Sequence, residues 1–270
     1  MNLIQVDYER CIQCGQCSEV CPMGTIRMGN EGPEETGQGC IACGHCVAIC
    51  PREALDNVKA PLVNQISLAE FPVLDAEQAE KFLRRRRSIR CYQEKMIPRE
   101  KIQELLAIAR LAPTGGNSQG VAYQVIDNAE ILKKVTEKTI EWMEEEIKQD
   151  SPWSSYIKGA VMAYRNANYD SILRSAPCLV IAIADKSFMP RGRDNTHFSL
   201  AYAELYAPTI ELGTCWAGFF EACAASGYQP LLELLKLPEN KVVTGGIMVG
   251  YPKYTYKRLV DRNPLQITWM

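Results

Sequence analysis

Histidine is scarce in this chain: two in 270 residues, His45 and His197. His197 lies alone at an expected helix start, with no partner that would make a catalytic dyad. A strong net charge is also lacking. The formal charge is −2 and the isoelectric point about 5.9, which excludes a global basic field for nucleic acid. No long apolar run is present. The longest clean one, Pro177 to Ala184, falls far below the roughly 20 residues of a membrane span and reads as a buried strand. The first residues, Met1-Asn-Leu-Ile-Gln-Val-Asp7, lack the charged-then-apolar pattern of a secretory leader. No G-x-G-x-x-G segment follows a strand, so a dedicated dinucleotide-binding domain is not expected. The expectation is a cytoplasmic protein with neither nucleic acid nor membrane as partner.

Cysteine is abundant, with twelve in the chain. Cys91, Cys178, Cys215 and Cys223 are scattered, whereas eight lie between Cys11 and Cys50. Clustering of this kind in a cytosolic chain points to metal rather than to disulfides. The segment Cys11-Ile-Gln-Cys-Gly-Gln-Cys-Ser-Glu-Val-Cys-Pro22 recurs as Cys40-Ile-Ala-Cys-Gly-His-Cys-Val-Ala-Ile-Cys-Pro51, offset by 29 residues with seven of twelve positions identical. The pattern C-x2-C-x2-C-x3-C-P lets three thiolates wrap one [4Fe–4S] cluster while the fourth serves the other. Cys11, Cys14, Cys17 and Cys50 are therefore assigned to one cluster, and Cys40, Cys43, Cys46 and Cys21 to the second. Gly15 and Gly44 leave room for backbone N–H groups near cluster sulfur, and Pro22 and Pro51 turn the chain away. Structural zinc also favours C-x2-C pairs, but needs neither the Cys-Pro ending nor the crossed repeat. His45, between ligands, reads as solvent-facing or as a hydrogen-bond donor rather than as a ligand. Over residues 1–58 the chain resembles bacterial two-cluster ferredoxins.

Residues 52–75 read as a connector, with prolines at 61 and 72. Beyond it, Asp75 is a plausible N-cap for a helix over Ala76 to Arg87. Pro98 to Ala112 is an amphipathic helix with Ile102, Leu105, Leu106, Ala109 and Leu111 near helical period. Further helices are expected at Glu130 to Gln149, from Pro152 to Asn168, at Asn195 to Leu212 and at Leu231 to Leu237. Strands are expected at Tyr123 to Ile126, Cys178 to Ala184 and Val242 to Val249. The tail from Arg262 is extended. The fold class is α+β or α/β for this C-terminal part. The expected division is a cluster domain over 1–60, a linker over 61–78 and a second domain over 79–270.

Four segments of the second domain carry chemistry. Arg84-Arg-Arg-Arg-Ser-Ile-Arg-Cys-Tyr92 is either a solvated helix end or a phosphate grip built from guanidinium forks and a hydroxyl. Ala112-Pro-Thr-Gly-Gly-Asn-Ser-Gln119 is a loop able to approach a planar heterocycle. Gly213-Thr-Cys-Trp-Ala-Gly218 is a second small-residue segment. Gly250-Tyr-Pro-Lys-Tyr-Thr-Tyr-Lys-Arg258 adds late positive charge. In this order they resemble the FMN-dependent nitroreductase family over residues 80–260, and the whole chain resembles ferredoxin–nitroreductase fusions. The resemblance implies an α+β sandwich in an intertwined homodimer, with C-terminal segments crossing to the partner. It implies that Arg86, Arg87, Ser88 and Arg90 hold the FMN phosphate and ribityl chain. Pro113, Thr114, Asn117 and Gln119 would reach the flavin of the other subunit. Ala217 and Gly218 would lie near the reactive edge of the ring, and Lys257 and Arg258 near the phosphate. Thr114-Gly-Gly and Gln119-Gly-Val depart from the usual family pattern around the substrate pocket. Cys215 and Trp216 read as packing rather than as chemistry.

The expected function is an oxidoreductase that passes electrons from its own [4Fe–4S] clusters to FMN and reduces a small electrophilic acceptor, such as a nitroaromatic or quinone. No acid–base catalytic residue is expected, because the hard chemistry belongs to the cofactors. The donor is an external ferredoxin or NAD(P)H. The alternative is a non-catalytic flavin and iron–sulfur relay or redox-sensing module of a larger complex.

Overall fold

The computed structural model describes residues 2–71 and 73–270; Pro72, expected in the linker, lies outside the described residues. The chain divides into two compact units, residues 1–74 with 116–118, and residues 75–115 with 119–270.

The first unit is built twice from the same parts. Strand β1 (Ile4–Val6) precedes a one-turn helix α1 (Gln16–Glu19), and a hairpin of β2 (Ile26–Met28) and β3 (Pro33–Glu35) follows. A second one-turn helix α2 (His45–Ala48) leads to β4 (Leu55–Asn57), which returns antiparallel to β1 with Ile4 opposite Asn57. Residues 55–57, expected in the connector, thus complete a sheet. Their Leu-Asp-Asn sequence is too short to show a strand period. Each one-turn helix starts from a left-handed glycine, Gly15 at φ 78° and Gly44 at φ 74°, a conformation that costs any residue with a Cβ. The core is small: Ile4, Ile26, Val47 and Leu55 with the buried Cys46.

The second unit starts at α3 (Ala76–Arg85), where the Asp75 side chain accepts from the Gln78 N–H at 2.8 Å. Then come α4 (Arg99–Ala109), β5 (Ala122–Ile126), α5 (Ala129–Lys148), α6 (Ser154–Ala167) and β6 (Cys178–Asp185). They are followed by α7 (Arg191–Tyr206), β7 (Gly213–Trp216), α8 (Gly218–Ala225), α9 (Gln229–Leu235) and β8 (Lys241–Gly250). The sheet is antiparallel in the order β5-β6-β8-β7. Its centre is covered on both faces. Leu179, Ile181 and Ile183 of β6 join one core with α5, α6, α8 and α9 residues, while Cys178, Val180 and Ala182 join another with α4 and α7 residues. Alternation along a strand sends successive side chains to opposite faces, so one apolar run supplies two cores and makes an α+β sandwich.

Sequence and structure differ where local signals are weak. Helix α4 stops at Ala109, leaving Leu111 61% exposed. The helix expected over Asn195 to Leu212 begins at Arg191 and gives way after Tyr206 to a 3-10 turn, Ala207–Ile210. Pro208 lies in that turn, and its missing N–H and ring disfavour continued α-helix. The small-residue segment at Gly213 is edge strand β7, and α8 follows it directly.

Candidate functional site

The eight clustered cysteines form two cages. Cys11, Cys14, Cys17 and Cys50 line one cavity together with Gly15, Met28 and Ala54. Cys21, Cys40, Cys43 and Cys46 line another together with Gly44, His45 and Asn57. The fourth cysteine of each repeat therefore stands with the first three of the other. Among the described residues, no three His, Cys, Asp or Glu side chains close on a point where a single metal ion could sit. Four thiols around a cavity suit a polynuclear iron–sulfur cube rather than one zinc ion.

The chain also aims donors at these sulfurs. The Thr25 N–H donates to Cys21 Sγ and the Ala54 N–H to Cys50 Sγ, both at 3.2 Å, a matched pair 29 residues apart. The Ala42 N–H donates to Cys40 Sγ at 3.4 Å. The buried Asn57 amide lies 3.8 Å from both Cys40 Sγ and Cys46 Sγ. Burial pushes the thiols of Cys17 and Cys46 up. Burial opposes ionisation of Cys21 as well, but hydrogen bonds from the Met23, Thr25 and Ile26 backbone and the Thr25 side chain bring its pKa below the ordinary thiol value. His45 is solvent-exposed.

In the second unit, the arginine-rich segment is stitched along the sheet edge. Ser88 bridges Thr214 in parallel and the Ile89 N–H donates to the Thr214 carbonyl at 2.8 Å. The Gln93 N–H then reaches the Tyr251 carbonyl at 2.9 Å. This stitching opens a cavity of about 580 Å³ lined by Arg85, Arg87, Thr214, Tyr256, Lys257 and Arg258, among others. Arg87 Nη2 donates to the Arg258 carbonyl at 3.0 Å, and its guanidinium stands 5.1 Å from the Tyr256 ring centre. Early and late basic residues, 171 positions apart, thus meet at one site. The size suits a small cofactor, and the donors suit a phosphate group.

The other expected flavin residues lie outside this lining. Arg86 pairs with Glu204 at 3.6 Å. Burial pushes the Glu204 carboxyl up, and the Arg86 charge and a hydrogen bond from Thr214 counter part of that. Arg90 donates to the Ser88 carbonyl at 3.4 Å. Thr114 Oγ1 accepts the Gln119 N–H at 3.0 Å, closing a loop in which Pro113 and Gln119 are exposed. Residues 116–118 group with the first unit, where the Asn117 amide donates to the carbonyls of Ile41 and Ala42 at 2.9 and 3.0 Å. The Ala217 N–H is committed to the Gly246 carbonyl at 2.8 Å, and Gly218, at the start of α8, is exposed. Cys215 is buried, and burial raises its thiol.

Sequence reasoning missed Glu204 and a second carboxylate, Glu221. Glu221 is 8% exposed, accepts from Arg193 Nη2 at 2.9 Å and also accepts from the Trp216 indole N–H. Trp216 in turn meets the His197 ring edge-on at 5.2 Å between centres. The only hint in the sequence was an acidic residue within the apolar stretch 217–225. A separate cavity of about 450 Å³, lined by Leu132, Thr136, Tyr164, Asp170 and Leu173 among others, includes none of the expected flavin residues.

Residues 83–251 match the family model described as Nitroreductase family, and residues 3–51 match one described as 4Fe-4S dicluster domain. A protein of Archaeoglobus fulgidus provisionally named NADH dehydrogenase/NAD(P)H nitroreductase is 27% identical over 181 residues, covering 66% of this chain and 87% of that protein. A protein of the same provisional name from Methanothermobacter thermautotrophicus is 24% identical over 173 residues, covering 63% and 75%. Among solved structures, a nitroreductase with bound FMN from Desulfitobacterium hafniense aligns with a TM-score of 0.57 and 18% identity, over 70% of this chain and 97% of that one.

Proposed function

This chain belongs to the nitroreductase family, and from that premise we propose an FMN-dependent oxidoreductase that receives electrons through its own iron–sulfur domain and delivers them to a small electrophilic acceptor such as a nitroaromatic or quinone. The observation that carries the reading is the pair of four-thiol cages in the same chain as a phosphate-suited basic cavity. Bound clusters supply single-electron transfer, and bound FMN supplies the conversion of single electrons into a two-electron reduction.

The chain's own residues bind and orient. The eight thiolates ligate iron, and the N–H groups of Thr25, Ala42 and Ala54 hold ligand sulfur. Arg87, Lys257 and Arg258 would hold the FMN phosphate, with Arg86, Ser88 and Arg90 beside them in sequence. Pro113, Thr114 and Gln119 would reach the flavin of the other subunit from the loop that Asn195 steadies by accepting the Gly115 N–H at 2.9 Å. Asn117 belongs to the same loop, and its Nδ2 donates to the carbonyls of Ile41 and Ala42. No protein acid or base is assigned. The acceptor is a small molecule, and the donor is an external ferredoxin or NAD(P)H.

The assembly is a homodimer. Its support is the tail, where Leu265, Ile267 and Trp269 are 84%, 57% and 88% exposed at alternate positions. That is a row of apolar side chains suited to a partner's surface. Size-exclusion chromatography with light scattering checks this, and a monomeric mass for the FMN-loaded protein defeats it.

The main test is anaerobic purification followed by cofactor quantification and turnover. We expect one FMN and, for two four-iron clusters, about eight irons per chain. Ferredoxin- or dithionite-reduced protein should turn over acceptors from a panel of nitroaromatics and quinones. Full cofactor loading without turnover on any acceptor would reject the enzyme reading.

A further inference from the structure

The two cysteine cages are near copies, and their differences are concentrated on one of them. Positions 29 residues apart correspond, so Thr25 matches Ala54 and Met28 matches Asn57. At the cage of Cys21, Cys40, Cys43 and Cys46, the Asn57 amide stands 3.8 Å from two ligand sulfurs. Its aim is fixed. Asn57 is 2% exposed, it ends β4, and its Oδ1 accepts the Lys59 N–H at 2.9 Å, which turns Nδ2 toward the cage. The Ala42 N–H adds a third contact, to Cys40. At the other cage, Met28 fills the corresponding place; its Cγ lies 4.0 Å from where a Cβ on Gly15 would stand. A thioether donates no hydrogen bond. Among the described residues, only backbone N–H groups donate to the thiols of Cys17 and Cys50.

Adding an electron to a cluster adds negative charge, and donors aimed at its sulfurs stabilise that charge. Hydrogen bonds to sulfur are among the features that set cluster potentials. Fixed cations do not reverse the order. Arg52 lines the first cage but is exposed, so water screens its charge. Lys59 Nζ, at 3.5 Å from the Cys40 carbonyl of the other cage, is exposed and screened likewise, so neither charge sets the order.

We propose that the cluster held by Cys21, Cys40, Cys43 and Cys46 has the higher reduction potential, with Asn57 as its tuning residue, so that the first electron placed on the iron–sulfur domain resides there. The exchange is a single electron leaving the cluster of Cys11, Cys14, Cys17 and Cys50 and arriving at its neighbour. One cluster is oxidised, the other reduced, and no proton moves. An external one-electron reductant, dithionite in the test below, supplies the electron. This rests on the two-cluster reading of the cages.

The test is EPR-monitored potentiometry of the full chain with dithionite, preceded by iron analysis. The wild type should show two waves, separated by at least tenfold in electron partition, about 59 mV for a one-electron couple. Asn57→Met should move the upper wave down toward the lower one. Met28→Asn should move the lower wave up while leaving the Lys59 contact intact, which keeps the idea testable if the first variant folds poorly. Material without iron removes the cluster reading and this inference together. Full iron with coincident waves, or variants that move the wrong wave or none, overturns this inference alone.

Discussion

The two units hold themselves together by different means. The first has three-residue strands, one-turn helices and a core of a few residues around Ile4, Ile26, Val47 and Leu55. A core this small contributes little, and small domains of this kind generally need a metal or another staple. Its fold depends on what its thiolates bind. The second unit covers a four-stranded sheet on both faces and buries Leu179, Ile181, Leu200, Phe220 and Ile247 completely. One unit is ordered by ligation and the other by burial of apolar area.

The largest test of this contrast is iron removal. Chelation under anaerobic conditions should unfold the first unit while the second keeps a cooperative melt. Hydrogen exchange would show it, with protection lost at β1 and β4 and retained at β6 and β8. Equal loss in both would break the comparison. The reverse test is Phe220→Ala. Phe220 is fully buried and fills the space beside Gly246, where an added Cβ would stand 3.2 Å from its ring. Emptying that site should cost about 3–5 kcal/mol, read as a lowered melting midpoint for the second unit with cluster absorbance unchanged.

The same contrast explains what could be read from the sequence. The crossed cages were legible because ligand spacing is local and the repeat states it twice. Strand β6 was legible as a continuous apolar run and β8 as a β-rich stretch, and the Asp75 cap as a residue type in its proper place. What failed needed tertiary context. Strand β7 is four residues, Gly-Thr-Cys-Trp, and is a strand because β8 lies beside it. Helix α8 is apolar on most sides and shows no polar face to give it a period. Glu204 and Glu221 gain their character only from burial beside Arg86 and Arg193. The offset between Met28 and Asn57 was present in the sequence, but the short β4 hid behind the expectation of a connector.

Smaller effects sharpen the picture at the level of single residues. Gly44→Ala forces a left-handed backbone on a residue with a Cβ, a cost of roughly 1–2 kcal/mol. The added Cβ would also stand 3.2 Å from Gln65 Nε2. Gly15→Ala carries the backbone cost with only Met28 Cγ, at 4.0 Å, nearby. Both should lower the temperature at which cluster absorbance is lost, Gly44→Ala by at least as much. Neither should move the melt of the second unit.

The smallest effect belongs to the surface of the second unit, where Arg165 of α6 grips Glu144 of α5 through two hydrogen bonds of 2.7 and 3.0 Å. Those bonds hold the Glu144 carboxyl below the ordinary glutamate value. A depressed carboxyl stabilises the fold above the unfolded-state pKa, and the contribution disappears as pH falls through the lower, folded-state pKa. Both side chains are partly exposed, so the pair is worth roughly 0.2–1 kcal/mol and salt should shrink it. Arg165→Ala should therefore lower stability slightly at neutral pH, and the variant and wild type should converge on acidification. Denaturant melts of the second unit between neutral and acidic pH check this. A difference that persists once Glu144 is protonated would mean that the Arg165 guanidinium over the Tyr164 ring, 5.7 Å from its centre, matters more than its pair with Glu144.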